Sequence, residues 1–257
     1  MTALLKRETR GSVALITIAN PPANVWTRAS LDGLRDLVRE LNADPAVRAL
    51  VLTGEGAKFF SAGADLKVFA EGGKAAGVEM ARAFGEAFET LAAFRGVSVA
   101  AINGYAMGGG LEVALACDIR IAETHAQMAL PEGSVGLLPC AGGTQWLAHA
   151  VGEGWAKRMI LCGERIDAAT ALRIGLVEEV VESGQALETA LALATRVQRQ
   201  SPGSVEACKQ LVHAARSAAQ AALPLERERF VRLFDSADQA EGVNAFLQKR
   251  APEWRHG

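Results

Sequence analysis

Short apolar runs and amphipathic stretches alternate along the first half of the chain. Residues 12–18 and 47–53 are short, apolar and rich in β-branched side chains, which predicts two strands. Between them, residues 30–42 repeat leucine and valine at helical spacing, which predicts an amphipathic helix. The same patterns predict a helix, a strand, a short buried helix and a strand at residues 75–94, 97–102, 111–117 and 118–122. The first half is therefore predicted to be an α/β structure.

From Gly143 onward the apolar pattern becomes helical. Helices are predicted at residues 144–151, 153–162, 168–174, 186–199 and 205–222. The turn signal Ser201-Pro202-Gly203 interrupts this region. We therefore expect a sheet-rich core over residues 1–200 that carries the functional site, followed by a helical C-terminal segment over residues 201–257.

Composition and charge favour a globular protein that does not bind polyanions over a broad surface. Half of the 257 residues are hydrophobic and 22% are charged, which is enough apolar material for a large core. The formal net charge of -2 provides no positive field for nucleic acid or anionic lipid. An anionic ligand must therefore meet a local patch, and we expect neither a nucleic-acid partner nor membrane binding.

The cysteines and the N-terminal residues indicate a reduced, cytoplasmic protein. Cys117, Cys140, Cys162 and Cys208 are scattered, without the paired spacing of a zinc site, so we expect free thiols and no metal. The first eleven residues are polar and lack the apolar region of a secretory signal. The longest uncharged run, residues 96–111, is too short for a membrane span of roughly 20 residues.

A run of three glycines, Gly108 to Gly110, lies between a predicted buried strand and a predicted buried helix. Three glycines cost backbone entropy, so something is expected to approach the chain closely here. No Gly-Lys-Ser/Thr follows and the G-x-G-x-x-G spacing is absent, which argues against a nucleotide. The other candidate is an oxyanion bound by an N–H group at the positive end of the helix. A second small-residue segment, residues 60–67, would on its own be an ordinary turn capped by Asp65.

Two glutamates near these glycines are candidates for acid–base chemistry. Glu112 falls in the first turn of the predicted helix, where a carboxylate ordinarily just complements the helix dipole. Glu132 follows Leu130-Pro131 in a mostly apolar stretch, where an unpaired carboxylate is costly and its pKa is expected to rise. Taken singly, each is most simply a cap or a turn residue.

Three stretches together carry a family resemblance: "SAGADLK", "AINGYAMGGGLEVALACDIRIA" and "LPEGSVGLLPCAGGTQ". In this order they resemble the crotonase superfamily, and specifically its enoyl-CoA hydratases. Further similar stretches, "NPPAN", "CGERIDAATALRIGLVEEVV" and "DQAEGVNAFLQKRAPEW", extend the resemblance over nearly the whole chain. The resemblance implies a spiral of ββα units with a helical C-terminal subdomain. It also implies homotrimers or dimers of trimers. The amphipathic C-terminal pattern, with Phe230, Phe234 and Phe246, is compatible with packing between subunits or within one chain.

The resemblance also assigns roles to residues. It implies that Glu112 and Glu132 are the catalytic carboxylates and that the backbone N–H groups of Ala64 and Gly109 bind the thioester oxygen. The substrate-binding residues it implies are Ala62, Ala64, Asp65, Leu66, Lys67 and Gly109. Lys67 would reach a phosphate of coenzyme A, although a solvated surface lysine fits the sequence equally well. Coenzyme A is part of the substrate, so no separate cofactor is expected.

The function that we expect is hydration of a trans-2-enoyl-CoA to a 3-hydroxyacyl-CoA. A 3,2-enoyl-CoA isomerase or another acyl-CoA reaction on the same fold is the nearest alternative, because members of the superfamily share the oxyanion hole but differ in their acids. A non-catalytic or RNA-binding relative is a more remote alternative and would be expected to carry a basic stripe.

Four residues depart from the family pattern or raise doubt about the acyl pocket: Trp26, Ser98, Cys140 and Trp146.

Overall fold

Ten strands and seven α-helices form the part of the chain that the computed structural model describes, namely residues 4–215 and positions 237, 241, 250, 251 and 253–255. The strands are β1 Leu5–Arg10, β2 Val13–Ile18, β3 Ala49–Gly54, β4 Phe59–Ser61, β5 Val97–Ile102, β6 Tyr105–Met107, β7 Ile119–Glu123, β8 Gln127–Ala129, β9 Ile166–Asp167 and β10 Glu179–Val181. The α-helices are α1 Arg28–Ala43, α2 Lys67–Ala92, α3 Gly109–Ala116, α4 Gly143–Leu161, α5 Ala168–Arg173, α6 Ala186–Arg196 and α7 Pro202–Ala214. Two short 3-10 helices span Glu132–Val135 and Val197–Arg199.

The strands form two sheets. The larger has six strands in the order β1-β2-β3-β5-β7-β10, and its pairs are parallel except for the antiparallel β1–β2 pair. The smaller has four strands in the order β4-β6-β8-β9, with β4, β6 and β8 parallel and β9 antiparallel to β8. The expected α/β class is therefore confirmed.

Successive turns of chain place one strand in each sheet. The pairs β3–β4, β5–β6 and β7–β8 each contribute first to the large sheet and then to the small one, and each pair is followed by a helix. This is the expected spiral of ββα units. Because β4, β6 and β8 are parallel neighbours, their carboxyl ends meet at one edge of the small sheet. The segments that follow these strands carry the three motifs of the sequence.

The central strands of the large sheet are buried on both faces, which explains why their sequences are continuously apolar. Residues that alternate along β2, β3 and β5 belong to two separate core clusters. Ile16, Leu52 and Ile102 pack with helices α1 to α4, whereas Leu15, Val51 and Val99 pack with α6. The small sheet and the segments after it therefore rest on a rigid, two-sided core.

Some elements differ from the sequence predictions, and one pair of predicted helices is confirmed. Strand β1 is an exposed, charged edge strand, and its residues contain no apolar run that would predict a strand. Helix α2 begins at Lys67 rather than at residue 75. The two predicted helices 144–151 and 153–162 are confirmed: they are the two segments of α4, which breaks at Gly152, where φ is 78° and ψ is 162°.

Most of the predicted C-terminal unit lies outside the described residues. Helix α7 corresponds to the first part of the predicted helix 205–222, and the remainder of that helix is not among the described positions. Phe230, Phe234 and Phe246 also lie outside them. The division at residue 200 therefore stays a prediction. Within the described residues, none of the helices combines the length and apolar character needed to cross a membrane.

A polar cluster fastens α7 to the large sheet. The Oδ2 atom of Asp118 accepts hydrogen bonds from the backbone N–H of Ser98 at 2.8 Å, from the Ser98 hydroxyl at 2.9 Å and from the Lys209 ammonium at 2.7 Å. His213 lies 3.6 Å from the other oxygen of Asp118. The family resemblance implies a proline at position 98. A proline has no N–H to donate to Asp118, so the departure from the family pattern at Ser98 coincides with this network.

Candidate active site

The segments that follow β4, β6 and β8 enclose a cavity of about 150 Å³. Most of its lining side chains are apolar, and Glu112 and Glu132 are its two carboxylates among the described residues. The lining residues are Ala62, Gly63, Ala64, Leu66, Phe84, Met107, Gly108, Gly109, Glu112, Pro131, Glu132, Ser134, Val135, Leu137, Leu138 and Cys140. Parallel pairing of three short strands thus brings the three sequence motifs to one site.

The glycine run permits three close approaches to the backbone. A Cβ at position 108 would lie 3.1 Å from the carboxylate Oε1 of Glu132, and this glycine has a φ of 53°. At position 109 a Cβ would lie 2.8 Å from Cε1 of Phe84, and at position 110 it would overlap the carbonyl oxygen of Ser61. The predicted close approach is therefore present, and the groups that approach are a carboxylate, an aromatic ring and a neighbouring backbone segment.

The backbone N–H groups of Ala64 and Gly109 are unengaged among the described residues and lie in adjacent segments. Trp26 donates to the carbonyl of Gly63 at 2.8 Å and accepts from the N–H of Asp65 at 3.1 Å, so the N–H of Ala64 itself faces away from Trp26. Gly109 is the first residue of α3, where an N–H group has no acceptor within the helix. A Cβ on Gly63 would lie 3.1 Å from the nitrogen of Gly109.

Glu112 is almost fully buried, with 2% of its surface exposed, in the first turn of α3. Its Oε1 atom accepts hydrogen bonds from the backbone N–H groups of Ala141 at 2.8 Å and Gly143 at 2.9 Å. These donors come from the glycine turn that opens α4. Burial raises the pKa of Glu112, and the two backbone hydrogen bonds offset part of that rise. The side chain is held in one orientation at the cavity wall.

Glu132 begins the first 3-10 helix, and its carboxylate is less well paired. Its Oε2 atom is buried without a hydrogen-bond partner among the described residues. Burial raises the pKa of Glu132 to about 7, and the nearby charge of Glu112 acts in the same direction. The expected rise in pKa is thus present, and near neutral pH this carboxyl group exchanges readily between its protonated and ionised forms.

Three residues that put the shape of the acyl pocket in doubt occupy different positions relative to the cavity: Cys140, Trp26 and Trp146. Cys140 lines it, and burial together with the charges of Glu112 and Glu132 raises the pKa of its thiol to about 11. Trp26 is fully buried and packs edge-on against Phe88, 5.6 Å between ring centroids. Trp146 is partly buried against the main core cluster. Neither tryptophan is among the lining residues, so both are core-packing residues.

The predicted substrate-binding segment lies only partly in the cavity wall. Ala62, Ala64 and Leu66 line the cavity, and Leu66 is 48% exposed at its edge. Asp65 accepts a hydrogen bond from the backbone N–H of Lys67 at 3.2 Å, as expected for a residue that shapes the turn into α2. Lys67 is exposed, begins α2 and does not line the cavity.

Sequence reasoning missed several lining residues. Phe84 lies in the predicted helix 75–94 at a spacing typical of core residues, although its ring also reaches the cavity. Val135, Leu137 and Leu138 line the cavity while remaining 44–67% exposed. A run of apolar residues next to Glu132, in a stretch that contains two glycines, was the available signal. Within the residues that the structure describes, no cluster of three or more histidine, cysteine, aspartate or glutamate side chains is arranged to hold a metal ion.

Comparison with known proteins gives consistent results over nearly the whole chain. The family model described as enoyl-CoA hydratase/isomerase matches residues 8–257. The chain is 42% identical over 247 residues to the 2,3-dehydroadipyl-CoA hydratase of Escherichia coli K12, covering 95% of each chain. The solved structure of Pseudomonas aeruginosa DspI is 67% identical and has a TM-score of 0.97, covering 99% of this chain and 97% of the other. The structure of an enoyl-CoA hydratase from Bacillus anthracis is 32% identical, with a TM-score of 0.95 over 99% of this chain and 100% of the other.

Proposed function

The chain belongs to the enoyl-CoA hydratase/isomerase family, and we propose that it adds water to a trans-2-enoyl-CoA to give a 3-hydroxyacyl-CoA. The observation that carries the proposal is the meeting of two carboxylates and two unengaged backbone N–H groups at one apolar cavity. An isomerase needs a proton shuttle but no bound water, so a second carboxylate beside the first favours hydration.

The N–H groups of Ala64 and Gly109 would stabilise the negative charge that develops on the thioester oxygen. Each is a donor without an acceptor among the described residues, and Gly109 adds the positive end of the α3 dipole. Such donors cost nothing to reorganise during the reaction because the backbone already holds them in place.

The two glutamates would divide the proton transfers. Glu112, oriented by the N–H groups of Ala141 and Gly143, would take a proton from water through Oε2 as the water oxygen bonds to C3. Glu132, whose pKa is raised to about 7, would give its proton to C2. One water is consumed and the C2=C3 double bond becomes a single bond. The total charge of the pair is unchanged, and return of the proton from Glu112 to Glu132 through water would complete the cycle.

The cavity lining supports an uncharged aliphatic acyl chain. None of the described lining residues is a lysine, arginine or histidine, and the ionised carboxylate of Glu112 gives the cavity a negative potential. The Escherichia coli relative is named for a substrate with a terminal carboxylate, which would be desolvated here without a cationic partner from the described lining. The coenzyme A portion would lie along residues 64–67, with the exposed Lys67 near its phosphates.

Parallel rate measurements on two substrates test the proposal. The purified chain should convert crotonyl-CoA to 3-hydroxybutyryl-CoA much faster than it converts a 3-enoyl-CoA to its 2-enoyl isomer. Faster conversion of the 3-enoyl-CoA would make the chain an isomerase. Absence of turnover on either substrate, combined with salt-sensitive RNA binding, would support a non-catalytic relative.

A further inference from the structure

We propose that Phe84 closes the acyl end of the cavity and sets the length of the enoyl chain that the site accepts. This inference rests on the proposed function, because it concerns the substrate range of the same site. It is carried by the packing of Phe84, which touches the candidate oxyanion hole on one side and the protein core on the other.

Phe84 is held in place from both sides. Its ring edge lies against Gly109, where a Cβ would be only 2.8 Å from Cε1 and 3.2 Å from Cζ. The ring packs edge-on against Phe88 at 5.4 Å between centroids, and Phe88 packs edge-on against Trp26 at 5.6 Å. Phe84 is 3% exposed, whereas Phe88 and Trp26 are completely buried. The three rings form a column that runs from the cavity wall into the core.

Only the first ring of this column lines the cavity among the described residues. Phe88 and Trp26 do not line it, so Phe84 alone separates the cavity from the second ring. Edge-on aromatic packing on Phe88 and contact with Gly109 leave the Phe84 ring little freedom to swing aside. A chain that extends from the oxyanion hole toward α2 would therefore stop at this ring.

Shortening this side chain should deepen the cavity instead of leaving a sealed void. In Phe84→Ala the space of one ring would join the cavity and would be closed by Phe88. A matching apolar void accepts additional methylene groups, and each methylene in such a pocket changes discrimination by roughly tenfold or more. Phe84→Leu, which keeps part of the side chain, should have an intermediate effect.

The test is a chain-length profile of kcat/KM for straight-chain 2-enoyl-CoA substrates, from crotonyl-CoA upward, for the native chain, Phe84→Leu and Phe84→Ala. We expect the preferred length to increase in that order, with a gain of roughly tenfold or more for chains longer than the native optimum. Leu91→Ala is the matched control, because Leu91 is a fully buried residue of α2 that does not line the cavity. It should lower stability without changing the profile.

Binding of saturated acyl-CoAs, measured by calorimetry, separates this inference from the proposed reaction. The Kd of these non-reacting ligands should show the same shift in chain-length preference in the Phe84 variants, whether or not the native chain hydrates an enoyl-CoA. Profiles of Phe84→Ala and Phe84→Leu that run parallel to the native profile, as for Leu91→Ala, would overturn the role of Phe84. Failure of the native chain to bind any acyl-CoA would overturn it as well.

Discussion

Two partly buried carboxylates have pKa values that are shifted in opposite directions: Glu132 lies at the cavity, and Asp118 lies against α7. Burial raises the pKa of Glu132 to about 7, since its Oε2 atom has no partner among the described residues. Burial also acts to raise the pKa of Asp118, but interactions with His213, Lys209 and Ser98 outweigh it, so the pKa is lowered. Two partly buried carboxyl groups therefore have opposite pKa shifts, and the neighbouring groups determine the direction of each shift.

The opposite pKa shifts show that the fold compensates the charge of Asp118 and leaves a charge on Glu132 uncompensated at the cavity. Asp118 is surrounded by donors and joins two elements, which is the arrangement expected of a structural ion pair. Glu132 faces an apolar cavity beside a second carboxylate, an arrangement that costs stability and poises a proton near neutral pH. We therefore expect changes at Glu132 to affect catalysis and changes around Asp118 to affect folding.

The largest expected effect is loss of hydration in Glu112→Gln and in Glu132→Gln. Each change removes a group that exchanges a proton with the substrate or with water, so kcat should fall roughly 10²–10⁴-fold while the fold is retained. Glu123→Gln is the control, because Glu123 is a buried glutamate outside the cavity. Near-native rates in both cavity variants would remove the basis for the proposed mechanism. Crotonyl-CoA hydration and circular dichroism on the same samples provide the two readouts.

The next largest effect is expected from Lys209→Met, on stability rather than activity. The change leaves the Asp118 carboxylate without its ammonium partner, and breaking such a pair costs about 3 kcal/mol in the free energy of unfolding. Lys157→Met breaks a well-exposed pair with Glu153 and should cost much less, because solvent screens that pair. Urea unfolding measures both. Equal small losses would show that the Asp118 cluster contributes little.

The protonated carboxyl group of Glu132 should stabilise the folded protein, so the free energy of unfolding should decline as the pH rises and this group ionises. Its folded pKa of about 7 lies above the ordinary value of 4.5, so the folded state binds more protons between these values. Stability from this group is complete below pH 4.5 and is lost as the pH rises through 7. After discounting for partial exposure, we expect a loss of about 2 kcal/mol between pH 5 and 8 that is absent in Glu132→Gln. Urea unfolding at pH 5 and pH 8 tests this prediction. An equal change in the free energy of unfolding in the native chain and in Glu132→Gln would contradict it.

The smallest effect is expected from Ser98→Ala. The change removes the hydroxyl that donates to Asp118 but retains the backbone N–H, so the free energy of unfolding should fall by about 1 kcal/mol. Hydration activity should be unchanged, because Ser98 does not line the cavity. Thermal unfolding and the crotonyl-CoA assay measure the two quantities. A drop in kcat with unchanged stability would mean that the two regions are not separable in this way.

The sequence was informative where local pattern and final environment agree. The apolar runs of β2, β3 and β5 predict strands correctly, since both faces of these central strands are buried. Strands β6 and β8 have three residues each, too few for a periodic signal, yet their parallel pairing brings Gly109 and Glu132 together. Sequence reasoning reached the glycine run and Glu132 through their residue types and then through the family resemblance, and not through strand periodicity.

Long-range partners account for what could not be predicted. Glu112 is oriented by backbone groups about 30 positions away, at Ala141 and Gly143, and nothing in its own helix indicates that contact. Likewise Phe84 shows helical spacing typical of a core residue, and only the packing of α2 beside Gly109 brings its ring to the cavity. The charge of Asp118 gains its partner Lys209 from a helix 91 positions later.

Direct titration of the Glu132 and Asp118 carboxyl carbons by ¹³C NMR tests the central contrast most directly, with Glu132→Gln and Asp118→Asn used to assign the two signals. We predict a midpoint near pH 7 for Glu132 and a midpoint below the ordinary 3.8 for Asp118. In Glu112→Gln the Glu132 midpoint should fall, because a nearby negative charge is removed. A Glu132 midpoint near 4.5 in the native chain would contradict the account, since no proton would then be poised at the cavity near neutral pH.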